Sequence, residues 1–454
     1  MSDILLVILA VIFVLGIAIN IHEFGHFIVA KFFGMRVEAY SFFGLGPRVW
    51  GFKYGHTDYR ISAIPLGAYV KLYGDEATAA LEGGESDGEK VPDSELYELR
   101  PRWQKFLVML GGPFMNIVLA LAIPFGAAMM YGIPSLPAPI VGVVNTGGAS
   151  ETAGIKVGDR ISSFNGTENP TWEAIKDDSM ISPDKDLPIV VDRGGNQIHL
   201  TVKPVKTEVD GNAIGEIGLL PDVGVEPVEA GTVIADSPAA NAGLQPRDRI
   251  LAFNGQTVRN SQEFTIQIKE NKDTPAKLTI ERDGERKEIV TQAKLNDDGV
   301  YRIGATFGSG TITARVKVGL GGAAAYAVDS NVRIIRLTGK VFGQLFAGER
   351  SVKDAGLAGP VGIVQIISKV VKELGFAGLF SILAVISLNL GVFNLLPIPL
   401  LDGGQIMVLG IEKVLSWFGA TLSMAVKEKI QFAGLGIILL LMAFTLFLDI
   451  SRFF

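Results

Sequence analysis

His22-Glu23-Phe24-Gly25-His26 stands near the end of an apolar stretch, Ile4 to Ile21, that is long enough to cross a bilayer. On a helix, imidazoles four positions apart lie one turn above each other on one face and can grip a single Zn²⁺, with Glu23 beside the open coordination position. Ionisable side chains at membrane depth are costly, so three of them within five residues point to a compensating task such as metal binding. A chance occurrence of the pattern on a soluble core helix does not fit so long an apolar lead-in.

Of 454 residues 48% are apolar, and they are unevenly spread. Long apolar runs at Ile4 to Ile21, Phe106 to Met130, Phe376 to Leu396 and Gly434 to Leu448 predict four transmembrane helices. Between the second and third lies a long, soluble-looking stretch. The first run opens with Asp3 and lacks a basic start and a small-residue cleavage pattern, so it reads as a retained span rather than a signal peptide.

Basic residues set the expected orientation. Lys31, Arg36, Arg48, Lys53, Arg60 and Lys71 follow the first span, and Arg100, Arg102 and Lys105 precede the second, which makes that loop cytoplasmic by the positive-inside rule. The stretch from about Tyr131 to Leu374 is then extracytoplasmic, and Lys413, Lys427 and Lys429 between the last two spans are cytoplasmic again; Arg452 is one charge against this. Part of the net charge of -6 sits in the Asp75 to Glu98 loop, which reads as a solvated cytoplasmic insertion. No basic, aromatic-studded patch points to nucleic acid. The absence of cysteine excludes thiol nucleophiles, thiolate zinc sites and disulfides.

A third metal ligand must come from few candidates, because the histidines are His22, His26, His56 and His199. His199 lies in the outer stretch, about 30 Å of hydrocarbon away, and reads as a strand residue. His56 is on the correct side but sits in a polar hairpin, Lys53 to Asp58. The better candidate is Asp402, which closes the segment Asn389 to Gly404 on the same membrane face. Pro397 and Pro399 break the helix there, which is tolerated only beside protein or a water-filled cavity, and the pair Gly403-Gly404 permits close backbone approach. The competing reading makes Asp402 the N-cap of the next helix.

The HEFGH pentapeptide, the Asn-x-x-Pro-x-Pro-x-x-Asp-Gly-Gly pattern at Asn394 to Gly404 and Gly111-Gly112-Pro113-Phe114-Met115-Asn116 together resemble the site-2 protease family of intramembrane zinc proteases, over nearly the whole chain. The resemblance implies His22, His26 and Asp402 as Zn²⁺ ligands, Glu23 as catalytic base, and Asn389 and Asn394 as residues that hold or orient the substrate. It also implies a substrate such as an anti-sigma factor, with remnant signal peptides as a second class. Physically, three protein ligands leave one position for water, whose pKa zinc lowers towards about 7. Glu23 would take the water proton and pass it to the leaving amine, and Asn394 is a candidate oxyanion donor.

Alternating segments at Val49 to Phe52, Tyr59 to Ile64 and Ala68 to Leu72 read as a small antiparallel sheet dipping into the membrane, whose edge could pair with an unwound substrate. The outer stretch contains a duplication: Ala153 to Gly166 recurs as Ala242 to Gly255, each copy ending in an Asn-Gly hairpin and resembling a PDZ domain. PDZ modules bind extended chain ends through a loop beside an edge strand, and Ile217, Gly218, Ile303 and Gly304 are the matching candidates. The preferred role for the two modules is exclusion of substrates with bulky outer portions. Ala323 to Phe346 has the pattern of an amphipathic helix on the membrane surface, followed by a glycine-bearing connector at Ala358 to Ile363.

The expected organisation is therefore a polytopic α-helical membrane core with a membrane-associated β-sheet and two extracytoplasmic α+β modules. Its segments are the first span at 1–32, the β-element with the acidic loop at 33–104, the second span at 105–133, the modules at 134–222 and 223–310, the connector at 315–371, the third span at 372–404 and the cytoplasmic segment with the fourth span at 405–454. The expected activity is zinc-dependent cleavage of a trimmed single-span protein in the bacterial inner membrane, near the cytoplasmic face. A membrane scaffold with a non-catalytic metal site is the alternative, and the intact Glu23 argues against it.

Overall fold

The computed structural model describes residues 3–64, 67–74, 91–209, 212–296, 300–309, 315–352, 354–356, 358–420 and 422–451, so most of the acidic loop and Arg452 lie outside the described residues. The longer helices are α1 (Asp3–Phe32), α2 (Arg102–Tyr131), α3 (Trp172–Met180), α4 (Ser261–Asn271), α5 (Leu320–Phe346), α6 (Pro360–Asn394), α7 (Asp402–Trp417) and α8 (Met424–Ser451). The chain divides into two compact units, one of residues 1–130, 318–339 and 357–454, the other of residues 131–317 and 340–356.

Among the described residues of the first unit, four helices are long and apolar enough to cross a membrane: α1, α2, α6 and Ala425–Ser451 of α8. Ala10, Val14 and Ala18 of α1 pack against Ile367, Val371, Leu379 and Leu383 of α6. α6 is broken at Gly375 (φ 64, ψ -158), so the apolar run read from Phe376 onward begins at the residue after the break.

Two prolines lie inside α2, Pro113 and Pro124. A helical proline has no N–H to offer the carbonyl four residues back. Pro124 leaves the Ala120 oxygen in that position, and Asn331 of α5 donates to it at 3.1 Å. The buried stripe Ala323, Ala327 and Asn331 thus docks α5 along α2, a partner that the amphipathic pattern did not name.

β1 (Val37–Phe43), β2 (Leu45–Tyr54), β3 (Thr57–Ile64) and β4 (Tyr69–Leu72) form one sheet in the order β2-β3-β1-β4. The expected antiparallel pairing holds for β2 with β3 and for β1 with β4, and is corrected only at the centre, where β1 and β3 run parallel with Tyr40 opposite Tyr59. Gly44 (φ 99) carries the chain across the end of β3, where a Cβ would meet the Ser62 and Ile64 carbonyl oxygens at 2.5 and 2.6 Å. Apolar alternation does not encode strand direction, so the sequence could not show this. β2 turns Val49, Trp50 and Phe52 outward, as a sheet bathed in lipid would. His56 lies in the turn between β2 and β3.

In the second unit the duplication is structural as well. Asn165-Gly166 (φ 48 and 79) and Asn254-Gly255 (φ 50 and 81) make equivalent tight turns after Arg160–Phe164 and Arg249–Phe253. α3 buries Ile175 on one core, and α4 buries Phe264 and Ile268 on the other. Each module closes a corner with the same buried carboxylate. Asp159 accepts from the Lys156 N–H and both arms of Arg193; Asp248 does so from Gln245 and Arg282. His199 lies in the strand Asn196–Val202. The end of α5 and the following turn are tied to the first module: Lys340 meets Asp178 at 2.6 Å, and Arg350 donates to the carbonyls of Ile181 and Ala213.

Candidate metal centre

α1 places His22 and His26 on one face, one turn apart, with Nε2 atoms 3.2 Å from each other. The chain reaches them again at the start of α7. After the Pro397-Ile398-Pro399 segment, Leu400 takes a positive φ of 84, a strained conformation for a branched residue. That turn brings Asp402 round so that Oδ2 lies 3.1 Å from His22 Nε2 and Oδ1 lies 3.4 Å from His26 Nε2. Gly403 and Gly404 are buried against the carbonyls of Leu395 and Ile398, where neither could carry a Cβ. The competing N-cap reading of Asp402 fails, since the cap residue of α7 is Leu401 and Asp402 is the first helical residue.

The three side chains form a set of donors within 4.8 Å of one another. Bonds of about 2.0–2.1 Å to a tetrahedral Zn²⁺ put neighbouring donors roughly 3.3 Å apart, which the separations of this set bracket. Asp402 Oδ2 is buried and accepts no hydrogen bond among the described residues. With one carboxylate oxygen facing each ring nitrogen, the group suits a shared cation.

The glycine-rich start of α2 makes room for this set. Gly25 and Gly111 bring α1 and α2 into backbone contact, where either added Cβ would strike the other's carbonyl. Gly112 then faces the two imidazoles. Beyond it, the His26 Nδ1–H donates to the Val108 carbonyl at 2.7 Å, which leaves Nε2 free as a ligand.

Glu23 projects next to the donor set, half-buried, with the Val70 N–H of β4 directed at its carboxylate. Of the two asparagines expected here, Asn394 enters the site, its Nδ2 3.2 Å from His22 Nε2. Asn389 is half-buried and makes no hydrogen bond to His22 among the described residues. Two residues without an expected role connect to the site, one directly and one through the other. Asn116 of α2 lies 3.1 Å from His22 Nδ1, and Ser387 of α6 bonds Asn116. Ser387 and Asn394 are seven apart, about two turns, and share a stripe on α6, whereas Asn389 is roughly 200° away from Ser387 around the helix. That spacing was the available signal.

In the modules, the loops carrying the peptide-binding candidates cap short helices. Ile217 and Gly218 use their carbonyls to accept from Ser150 and Asn145. Ile303 and Gly304 do the same for Ala239 and Ile234, and Gly218 (φ 70) and Gly304 (φ 78) are left-handed. The strand Ala305–Ser309 after the second loop is a sheet edge.

A profile of peptidase family M50 matches residues 10–441. Protease RseP of Yersinia pestis is 31% identical over 475 aligned residues, covering all of both chains. Regulator of sigma-E protease RseP of Escherichia coli is 30% identical, covering 96% of this chain and 97% of its own. A putative zinc metalloprotease of Vibrio cholerae is 29% identical over the whole of both. Among solved structures, the PDZ domain of an SdrC-like protein from Listeria monocytogenes aligns with 18% of this chain and 87% of its own, at 25% identity and a TM-score of 0.17.

Proposed function

The chain belongs to peptidase family M50, the site-2 zinc metalloendopeptidases, and from that premise we propose that it cuts the membrane-spanning segment of a single-span protein whose outer part has already been shortened. The observation that carries this reading is the convergence of Asp402 with both imidazoles beside Glu23. His22, His26 and Asp402 are the residues that would hold Zn²⁺. When bound, the ion supplies Lewis acidity that makes water acidic near neutral pH and polarises a carbonyl.

The protein's own groups do the rest. Glu23 accepts a proton from the attacking water and returns it to the leaving nitrogen. Asn394, beside His22, donates to the negative charge that develops on the carbonyl oxygen. A substrate helix keeps its carbonyls in hydrogen bonds, so it must unwind before attack. β4 is an edge of the membrane sheet and touches α1 at Glu23, so an extended segment could be held there by strand addition.

On this reading the protein sits in a bacterial inner membrane with the centre near the cytoplasmic face and the two modules, as PDZ domains, outside. The names of the relatives tie those proteins to sigma-E regulation. An anti-sigma factor is accordingly the substrate proposed here, with remnant signal peptides as a second class. The modules act as a filter against bulky outer domains.

Cleavage of a tagged single-span substrate in proteoliposomes tests both parts. Glu23→Gln should slow cutting by at least about 100-fold while metal content stays at the wild-type level; undiminished cutting would end the enzymatic reading. Removing residues 134–310 should admit an untrimmed substrate, and continued resistance would end the filter reading.

A further inference from the structure

We propose that Asn116 is a positioning residue for His22: its carboxamide oxygen accepts the Nδ1–H of that ring and thereby presents an unprotonated Nε2 to the metal. Asn116 is fully buried, and its Nδ2 lies 3.1 Å from His22 Nδ1. On its far side stands Ser387, equally buried, with Oγ 3.0 Å from the Asn116 main-chain oxygen and 3.1 Å from its side-chain Oδ1. One residue on each of α1, α2 and α6 thus forms a chain leading away from the metal centre.

Hydrogen-bond chemistry decides which end of the amide faces the ring. An imidazole that ligates through Nε2 carries its proton on Nδ1, and that proton needs an acceptor. A carboxamide accepts only through oxygen. With its nitrogen towards the ring, Asn116 donates to Nδ1 and leaves the proton on Nε2, where it points at Asp402. Half a turn about the Cβ–Cγ bond exchanges the two amide ends within the same space. The oxygen then takes the Nδ1 proton, the amide nitrogen donates to Ser387 Oγ, and the serine hydroxyl donates to the Asn116 main-chain oxygen. Every polar group in the chain is paired. A hydroxyl at position 387 suits both orientations, because it donates and accepts.

His26 needs no such device. Its Nδ1 is opposed by the Val108 carbonyl, which can only accept. The two imidazoles are therefore oriented by different means, one by backbone and one by a side chain that substitution can reach.

The inference rests on the metal reading of the site, and one titration separates the two. The full chain in detergent, stripped of metal, is titrated with Co²⁺ against a chelator, and the visible absorption of the bound ion gives the affinity. Asn116→Leu and Asn116→Ala, which lack an acceptor, should bind 10- to 100-fold more weakly, whereas Asn116→Asp, which keeps one, should stay within about threefold of wild type. Only variants that match wild type in resistance to proteolysis are scored, and the two acceptor-free variants substitute for each other. Wild-type affinity in an acceptor-free variant overturns the role of Asn116. So does equal weakening in Asn116→Asp, which would mark a packing role. If wild type takes up no Co²⁺, or keeps it in Asp402→Asn combined with His26→Phe, the metal reading itself falls and the inference with it.

Discussion

Gly112 of α2 lies against the His26 imidazole of α1 with no room for a methyl group, since a Cβ there would lie 2.3 Å from His26 Nε2 and 2.8 Å from His22 Cε1 and Nε2. The donor set is therefore walled on one side by bare backbone. Gly25 and Gly111 hold that wall in place by letting the two helices touch.

Gly112→Ala is expected to expel the metal. In an ordinary helix interior the change would stabilise by about 1 kcal/mol. Here the added methyl would displace the two ring nitrogens of the proposed metal site, and a shift of about 1 Å at reacting groups costs on the order of 100-fold in rate. Metal content after purification and the cleavage rate should both fall while helix content holds. An alanine variant with full metal and activity would refute the geometry.

Asp449 near the end of α8 accepts from the Gly359 and Gly362 N–H groups at 3.0 and 2.9 Å, at the start of α6. Those are first-turn donors that α6 cannot satisfy itself, and a carboxylate also opposes the positive end of the helix dipole. Asp449→Leu should destabilise the membrane unit by about 1–2 kcal/mol. A thermal midpoint in detergent equal to wild type would show that the cap contributes nothing.

Acid should weaken both modules together. Burial alone would raise the Asp159 carboxyl, but the Arg193 guanidinium and the Lys156 N–H hold it below the usual carboxylate range. Arg282 and the Gln245 N–H do the same for Asp248. A carboxyl with a folded pKa below its unfolded value of about 3.9 adds stability that is complete above that value and is lost as pH falls through the folded one. Urea midpoints of the modules, followed by side-chain footprinting, should thus stay level from about pH 7 to 5 and drop below about pH 4. A drop confined to the range above about pH 5 would assign the effect to other groups.

Much of the centre was readable in one dimension because its parts are local. HExxH puts two ring nitrogens on one helical turn whatever the rest of the chain does, and the glycine pair after Asp402 announces a close approach that the structure displays. Asn116 lies in the Gly111 to Asn116 motif, but its task depends on which helix it faces. Ser387 carried no motif at all. Its seven-residue spacing from Asn394 marks a shared face, but the meaning of that face comes from α2 packed upon it.

The four apolar runs and the duplication follow from composition and periodicity, because burial in lipid or in a small core acts residue by residue along the chain. The parallel pairing of β1 with β3 and the docking of Asn331 on a carbonyl freed by Pro124 do not. Each is a contact between segments distant in sequence, chosen by backbone direction and by polar groups left over from helix breaks. Those are properties of an assembled chain, and no local pattern records them.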